Sequence, residues 1–207
     1  MVKTKKSYAI ERVFIREPWE NLTYLKVQKL SKSKSKSYIY SVINRLKEEK
    51  KINQIIISKR AIMYNPVLDS LQAQNYWGFL AEYLAWNKNK FPFQVIENLR
   101  KKIPTPFFTL LVTGSYAKGT QNSKSDLDVV ILSDEDSKLI YSELKYECET
   151  SIPKVHLYVF TKEEFFKMLF SKKENYGKEI ARNNLIFFGG ASYYSILSEA
   201  IKNGFKG

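Results

Sequence analysis

Between residues 110 and 132 two apolar runs are joined by a short loop of small and polar residues. Leu110-Leu111-Val112 ends at Thr113-Gly114-Ser115, Tyr116-Ala117-Lys118-Gly119-Thr120 follows, and Ser125-Asp126-Leu127-Asp128-Val129-Val130-Ile131-Leu132 opens the second run with two carboxylates one residue apart. Alternate side chains of a strand share a face, so Asp126 and Asp128 point the same way. Two carboxylates that close repel unless a cation lies between them. Hard oxygen ligands on one face suit Mg²⁺, which takes one or two carboxylates and lets substrate phosphates complete its shell. Gly114 permits a close approach of backbone to ligand, and the amides of a following helix start favour an anion there. The stretch reads as a phosphate-holding turn facing a metal-holding strand.

The Gly-Ser pair after an apolar run, ten intervening residues that include Gly119, and Ser-Asp-x-Asp at the start of a strand resemble the nucleotidyltransferase domain of the DNA polymerase beta superfamily, in its small stand-alone prokaryotic, archaeal-type form. The run from Glu179 to Gly189 adds a weaker likeness to archaeal members. The resemblance implies transfer of a nucleoside monophosphate from a nucleoside triphosphate to an acceptor hydroxyl, with two metal ions at the reacting phosphate. Carried onto this chain, Gly114, Ser115, Lys118 and Gly119 hold the nucleotide's phosphates, Asp126 and Asp128 ligate Mg²⁺, and a third acidic residue belongs on a later strand. The matching strand, Val155 to Phe160, has none; its best-fitting position is His156, the only histidine in the chain. Histidine ligates Mn²⁺ more readily than Mg²⁺, and a neutral imidazole also suits a general base. Glu147 and Glu149 are substitutes if the register differs.

Charge separates the chain. The 207 residues carry a formal net charge of +13. Residues 1–68 hold 16 Lys/Arg against 5 Asp/Glu, and the remainder holds 18 against 16. A basic third on a nearly neutral remainder implies a polyanionic partner for that third. Ile10, Val13 and Phe14 have helical spacing and Pro18 ends that helix. A short helix runs from Tyr24 to Leu30, with Leu22-Thr23 before it as a strand or helix start. After the alternating Ser31–Ser37 turn, a helix of about Ser35 to Lys50 buries Ile39, Val42, Ile43 and Leu46. Strands at Ile52–Ser58 and Ala61–Tyr64 flank a basic tip, Lys59-Arg60. Three helices and a basic hairpin resemble a winged helix-turn-helix, which implies double-stranded DNA contacts by Lys32, Lys34, Lys36, Tyr40, Lys59 and Arg60.

The expected fold is α+β: a winged helix-turn-helix over 1–67, a helical connection over 68–104, and a polymerase-beta-like domain over 105–207 with a mixed sheet flanked by helices. The connection holds a helix from Asp69 to Trp86, with Leu71, Tyr76, Trp77, Leu80, Tyr83 and Leu84 as its apolar face, and a second starting at Pro92. Strands follow at Phe107–Val112, Asp126–Leu132 and Lys154–Phe160. Asp134-Glu135-Asp136 opens one helix and a Thr161–Glu164 capping box another. Asn175 to Lys206 reads as mostly helical, broken at Gly189-Gly190.

One cysteine, Cys148, excludes an intrachain disulfide and fits a reducing cytoplasm. No leader sequence or membrane-length apolar run is evident, so no membrane partner is expected. The functional expectation is an enzyme, a metal-dependent nucleotidyltransferase that takes an NTP and has a DNA address. The alternative is a DNA-binding regulator or antitoxin whose transferase domain is catalytically weak and binds nucleotide or a protein partner such as a toxin. Winged helices often bind as dimers, which makes the aromatic helix from Asp69 the candidate homodimer surface.

Overall fold

A computed structural model describes residues 5–58 and 61–207. The predicted hairpin-tip contacts Lys59 and Arg60 lie outside the described residues.

The N-terminal elements are helix α1 (Lys5–Arg16), strand β1 (Leu22–Thr23), helices α2 (Tyr24–Ser31) and α3 (Lys36–Glu48), and strands β2 (Ile52–Ser58) and β3 (Ala61–Pro66). The hydroxyls of Thr23 and Ser35 accept the amides of Lys26 and Tyr38, which starts α2 and α3 where the hydroxyl-rich sequence favours a cap. The strands form an antiparallel sheet in the order β1-β3-β2. The stripe Ile39, Val42, Ile43 and Leu46 is buried as its spacing predicts. It packs in one core with Ile10, Val13 and Phe14 of α1.

Helix α4 (Leu71–Trp86) follows, capped by Ser70. The sequence assigned one apolar face to it, with Leu71 included. Instead Leu71 is 71% exposed at the first position, and Ala73, Trp77, Gly78, Leu80 and Ala85 are the buried set. The reason is that α4 is packed on more than one side, against α1, strand β7 and helix α10. A β-carbon on Gly78 would lie 2.4 Å from the Ala191 amide nitrogen, so the glycine is what lets α10 cross so closely. Wholly buried Glu11 of α1 accepts hydrogen bonds from Arg45 of α3 and, at 2.6 Å, from the Tyr76 hydroxyl of α4. That buried network ties three helices together.

Helix α5 (Phe93–Lys102) has Pro92 at its cap, one position earlier than the first-turn place expected for it. Then come β4 (Thr109–Val112), the short helix α6 (Gly114–Lys118), β5 (Leu127–Leu132), α7 (Ser137–Thr150), β6 (Val155–Phe160), α8 (Lys162–Phe170), α9 (Tyr176–Arg182), β7 (Leu185–Phe188) and α10 (Gly190–Lys202). The capping box at Thr161 and Glu164 is formed in both directions. The sheet runs β6-β5-β4-β7, with β5 and β6 parallel and the other pairs antiparallel. It is a mixed sheet flanked by helices, as expected.

Strand β7 corrects the reading of residues 175–206 as helical apart from a glycine break. Leu185-Ile186-Phe187-Phe188 is a four-residue apolar run between Asn183-Asn184 and Gly189-Gly190, and it covers the open edge of β4. Gly189 leaves it at φ +75°, where a β-carbon would meet the Phe108 carbonyl at 2.5 Å.

Strand alternation divides the sheet's side chains. Leu127, Val129 and Ile131 face a core shared with α5 and α7. Val130 and Leu132 face the opposite core, shared with α8, α9, α10 and the N-terminal elements. Asp128 has the parity of this second face, at the end where β5 begins.

Candidate active site

Three elements meet where β4 ends and β5 begins. The Thr113 amide donates to the Asp128 carbonyl at 2.9 Å, and its hydroxyl donates to the Asn183 carbonyl at 2.7 Å. The end of β4 is thereby fixed to both β5 and the α9–β7 loop. Gly114 follows at φ +66°, a conformation that favours glycine. A β-carbon there would lie 2.1 Å from Asp128 Oδ2. The turn thus rests on the Asp128 carboxylate, which a side chain at position 114 would have to displace. Helix α6 ends at Gly119, φ +75°, whose β-carbon position is open. A turn closed by Asn122 and Ser125 then returns the chain to Asp126.

The Leu127 amide donates to the Lys154 carbonyl at 2.8 Å, which fixes where β5 starts beside β6. In that register Asp128 is opposite His156. His156 Nε2 is 3.3 Å from Asp126 Oδ2, and Nδ1 is 3.6 Å from Asp128 Oδ1. All three side chains are partly open to solvent. The Asp128 carboxyl is held above the usual aspartate range. Burial is the main cause and the charges of Asp126 and Glu179 add to it, while His156 acts against it. The site therefore has an excess of negative charge, which a cation would relieve.

The structure brings Gly114, Ser115, Asp126, Asp128 and His156 together. Lys118 is one helical turn from Gly114, where its ammonium pairs with Glu179 of α9 at 2.9 Å, both side chains being well exposed. Glu147 pairs with Lys102 of α5 at 2.7 Å and accepts from Asn98, so it is committed to the α5–α7 packing. Glu149 is exposed on α7.

Two tyrosines were missed. The rings of Tyr158 and Tyr176 lie 4.7 Å apart. The Tyr176 phenol is pushed up, first by burial, then by Tyr158 and by the charge of Asp128. Tyr158 is two residues beyond His156 on the same strand face, so alternation alone could have placed it. Tyr176 comes from α9, and nothing local in the sequence signals its approach.

The expected DNA contacts lie on the N-terminal elements. Lys32 is the left-handed C-cap of α2 at φ 54°, Lys34 is exposed between α2 and α3, and Lys36 is exposed at the first position of α3. Tyr40 is 48% exposed and stacks on Tyr24 with ring centroids 4.5 Å apart.

Among the described residues no group of three or more His, Cys, Asp and Glu side chains is arranged to hold a metal ion by itself. Nor is any helix among them long and apolar enough to cross a membrane. No curated protein and no solved structure matches the chain. Residues 94–186, from α5 to β7, match the family model described as the nucleotidyltransferase domain, a span that includes the site described above.

Proposed function

We propose that this protein is a metal-dependent nucleotidyltransferase that moves a nucleoside monophosphate from a nucleoside triphosphate to an acceptor hydroxyl, and that its N-terminal elements are a winged helix-turn-helix that binds double-stranded DNA. The observation that carries the first part is the convergence of Asp126, Asp128 and His156 above the Gly114–Ser115 turn, inside the matched domain. In domain terms, residues 1–67 would be the DNA-binding unit, 68–104 the connection and 105–207 the transferase.

The donor set fits a cation only in part. Asp126 and Asp128 are hard oxygen ligands of the kind that leaves part of a metal's shell to substrate oxygens; burial first, and then the charge of Asp126, raises Asp128. When bound, Mg²⁺ would supply charge neutralisation at the triphosphate; Mn²⁺ fits equally where the imidazole takes part.

The chain's own groups would divide the work as follows. Amides and hydroxyl of the Gly114–Ser115 turn hold the outer phosphates, with Lys118 as a point charge once it leaves Glu179. The acceptor oxygen forms a bond to the α-phosphorus as the bond from that phosphorus to the bridging oxygen breaks, and pyrophosphate leaves. The hydroxyl proton passes to His156, which Asp126 and Asp128 orient. With each triphosphate supplied in turn, pyrophosphate release should fall on His156→Ala by roughly 100-fold or more, the usual range for a general base. Release that is unchanged in this variant would contradict the assignment of His156.

A second reading has its own support. The position expected to bear a third carboxylate is histidine, and no three-ligand metal group is formed among the described residues. On this reading the protein is a DNA-binding regulator or antitoxin that binds nucleotide or a protein partner and turns over weakly, and binding would survive His156→Ala. The single buried thiol, Cys148, suits a reducing cytoplasm in either case.

A further inference from the structure

A cavity of about 440 Å³ lies at the far end of the sheet from the candidate active site, where Thr109 of β4 pairs with Leu132 of β5. Both residues line it, and α10 supplies the opposite wall. Strand β5, six residues long, separates it from Asp126 by about 20 Å. None of Gly114, Ser115, Asp126, Asp128 and His156 is in its lining.

The lining combines aromatic rings with charges of both signs. Phe108 and Phe188 line the cavity and stack with ring centroids 4.5 Å apart. Phe107 lines it too and is 83% exposed. Its amide donates to the Thr105 hydroxyl and its carbonyl accepts from the Ser133 hydroxyl, so an exposed ring is carried on a fixed backbone. Asp134, just past β5, and Lys162, the first residue of α8, are the charged members. They are neighbours, since the Lys162 amide donates to Asp134 Oδ1 at 3.2 Å. Both side chains are exposed, and neither has an ion pair among the described residues. Ser192 and Ser195, one turn apart on α10, add two hydroxyls to the wall.

These features select a class of ligand. The volume is of the size that holds one small molecule, and aromatic walls with a few polar groups are the usual composition of such a site. A ligand of one charge is attracted by one of Asp134 and Lys162 and repelled by the other. A nucleotide, whose charge is all on its phosphates, meets that repulsion at Asp134. A molecule that carries an ammonium and a carboxylate side by side satisfies both groups, and a ring beside them packs on the phenylalanines. We propose that this cavity is a second binding site, which takes a free aromatic α-amino acid with its ammonium on Asp134 and its carboxylate on Lys162. The proposal stands independently of the transferase reading.

The test titrates L-phenylalanine into the full chain by calorimetry, at millimolar concentration and in EDTA. Wild type should bind it. Hydrocinnamate, which lacks the ammonium, and phenethylamine, which lacks the carboxylate, should each bind about ten-fold more weakly or worse, the worth of one hydrogen bond to a charged group. Asp134→Asn keeps an oxygen for the Lys162 amide; it should weaken L-phenylalanine by a similar factor and leave hydrocinnamate no weaker. Lys162→Gln should weaken L-phenylalanine and leave phenethylamine no weaker. Both side chains are exposed, so the melting temperatures should match wild type. Asp126→Asn with Asp128→Asn should bind L-phenylalanine as wild type does. The proposal is overturned if L-phenylalanine does not bind, if either one-charge analogue binds as well, or if either the Asp134 or the Lys162 variant keeps wild-type affinity. Loss of binding in the Asp126 and Asp128 double variant overturns it as well, because the ligand would then lie at the nucleotide site.

Discussion

Gly114 is the residue on which the site's geometry turns. Its positive φ and its contact with the Asp128 carboxylate are separate demands, and glycine alone meets both. Gly114→Ala must push the Asp128 carboxylate away from a methyl group 2.1 Å from Oδ2 and adopt a left-handed backbone that costs about 1–2 kcal/mol by itself. The expected result is a loss of about 2 kcal/mol or more in a denaturant titration, together with loss of metal-dependent nucleotide binding. Full stability with intact binding would mean that the turn is not held against Asp128. At this scale the sequence was informative. The Gly-Ser turn and the Asp-x-Asp pair are read from a single stretch of chain, because a strand's alternation places both carboxylates on one face. His156 was reached through the resemblance, and its register opposite Asp128 comes from strand pairing. Tyr176 was not legible, since its approach to the site depends on how α9 packs.

At the scale of elements, local signals worked where a cap or a stripe controls the structure. Ser35 and Thr161 cap the helices expected of them, and the apolar stripe of α3 is buried. They failed where packing overrides the local pattern. Strand β7 is only four residues long, too short for periodicity to separate strand from helix, and it is defined by its pairing with β4. On α4 Trp77 and Leu80 are buried as expected, but Leu71 is exposed and neighbours on several sides bury Ala73, Gly78 and Ala85 as well, so no single stripe describes it. Another feature outside local patterning is Glu11, whose carboxylate is fully buried among Arg45 and Tyr76. Glu11→Ala leaves the Arg45 guanidinium, itself only 13% exposed, without its partner. The expected loss is about 3–5 kcal/mol, measured by chemical denaturation. A loss below about 1 kcal/mol, the value of a surface pair, would show that water replaces the carboxylate at no great cost.

For the whole molecule, the charge asymmetry and the mixed sheet are the two properties a sequence carries most openly. The first is a count, and the second was implied by the resemblance, since strands alternating with helices point by themselves to a parallel sheet. The joint between the two halves was not legible, because α4 and α10 meet through Gly78 and Gly190, far apart in the chain. If the basic third binds duplex DNA through about five phosphates, log affinity should fall with log salt at a slope of roughly −4 to −5. Replacing Lys32, Lys34 and Lys36 by Gln should flatten that slope by about 2.7, three contacts on a duplex. An unchanged slope would remove these lysines from the interface. The central claim is that Asp126 and Asp128 form a metal-dependent nucleotide site, and calorimetric titration of nucleoside triphosphates with Mg²⁺ and then Mn²⁺ tests it most directly. Wild type should bind only when metal is present, and Asp126→Asn with Asp128→Asn should abolish that binding without lowering the melting temperature. Equal affinity in the double variant, or binding that ignores the metal, would contradict the account.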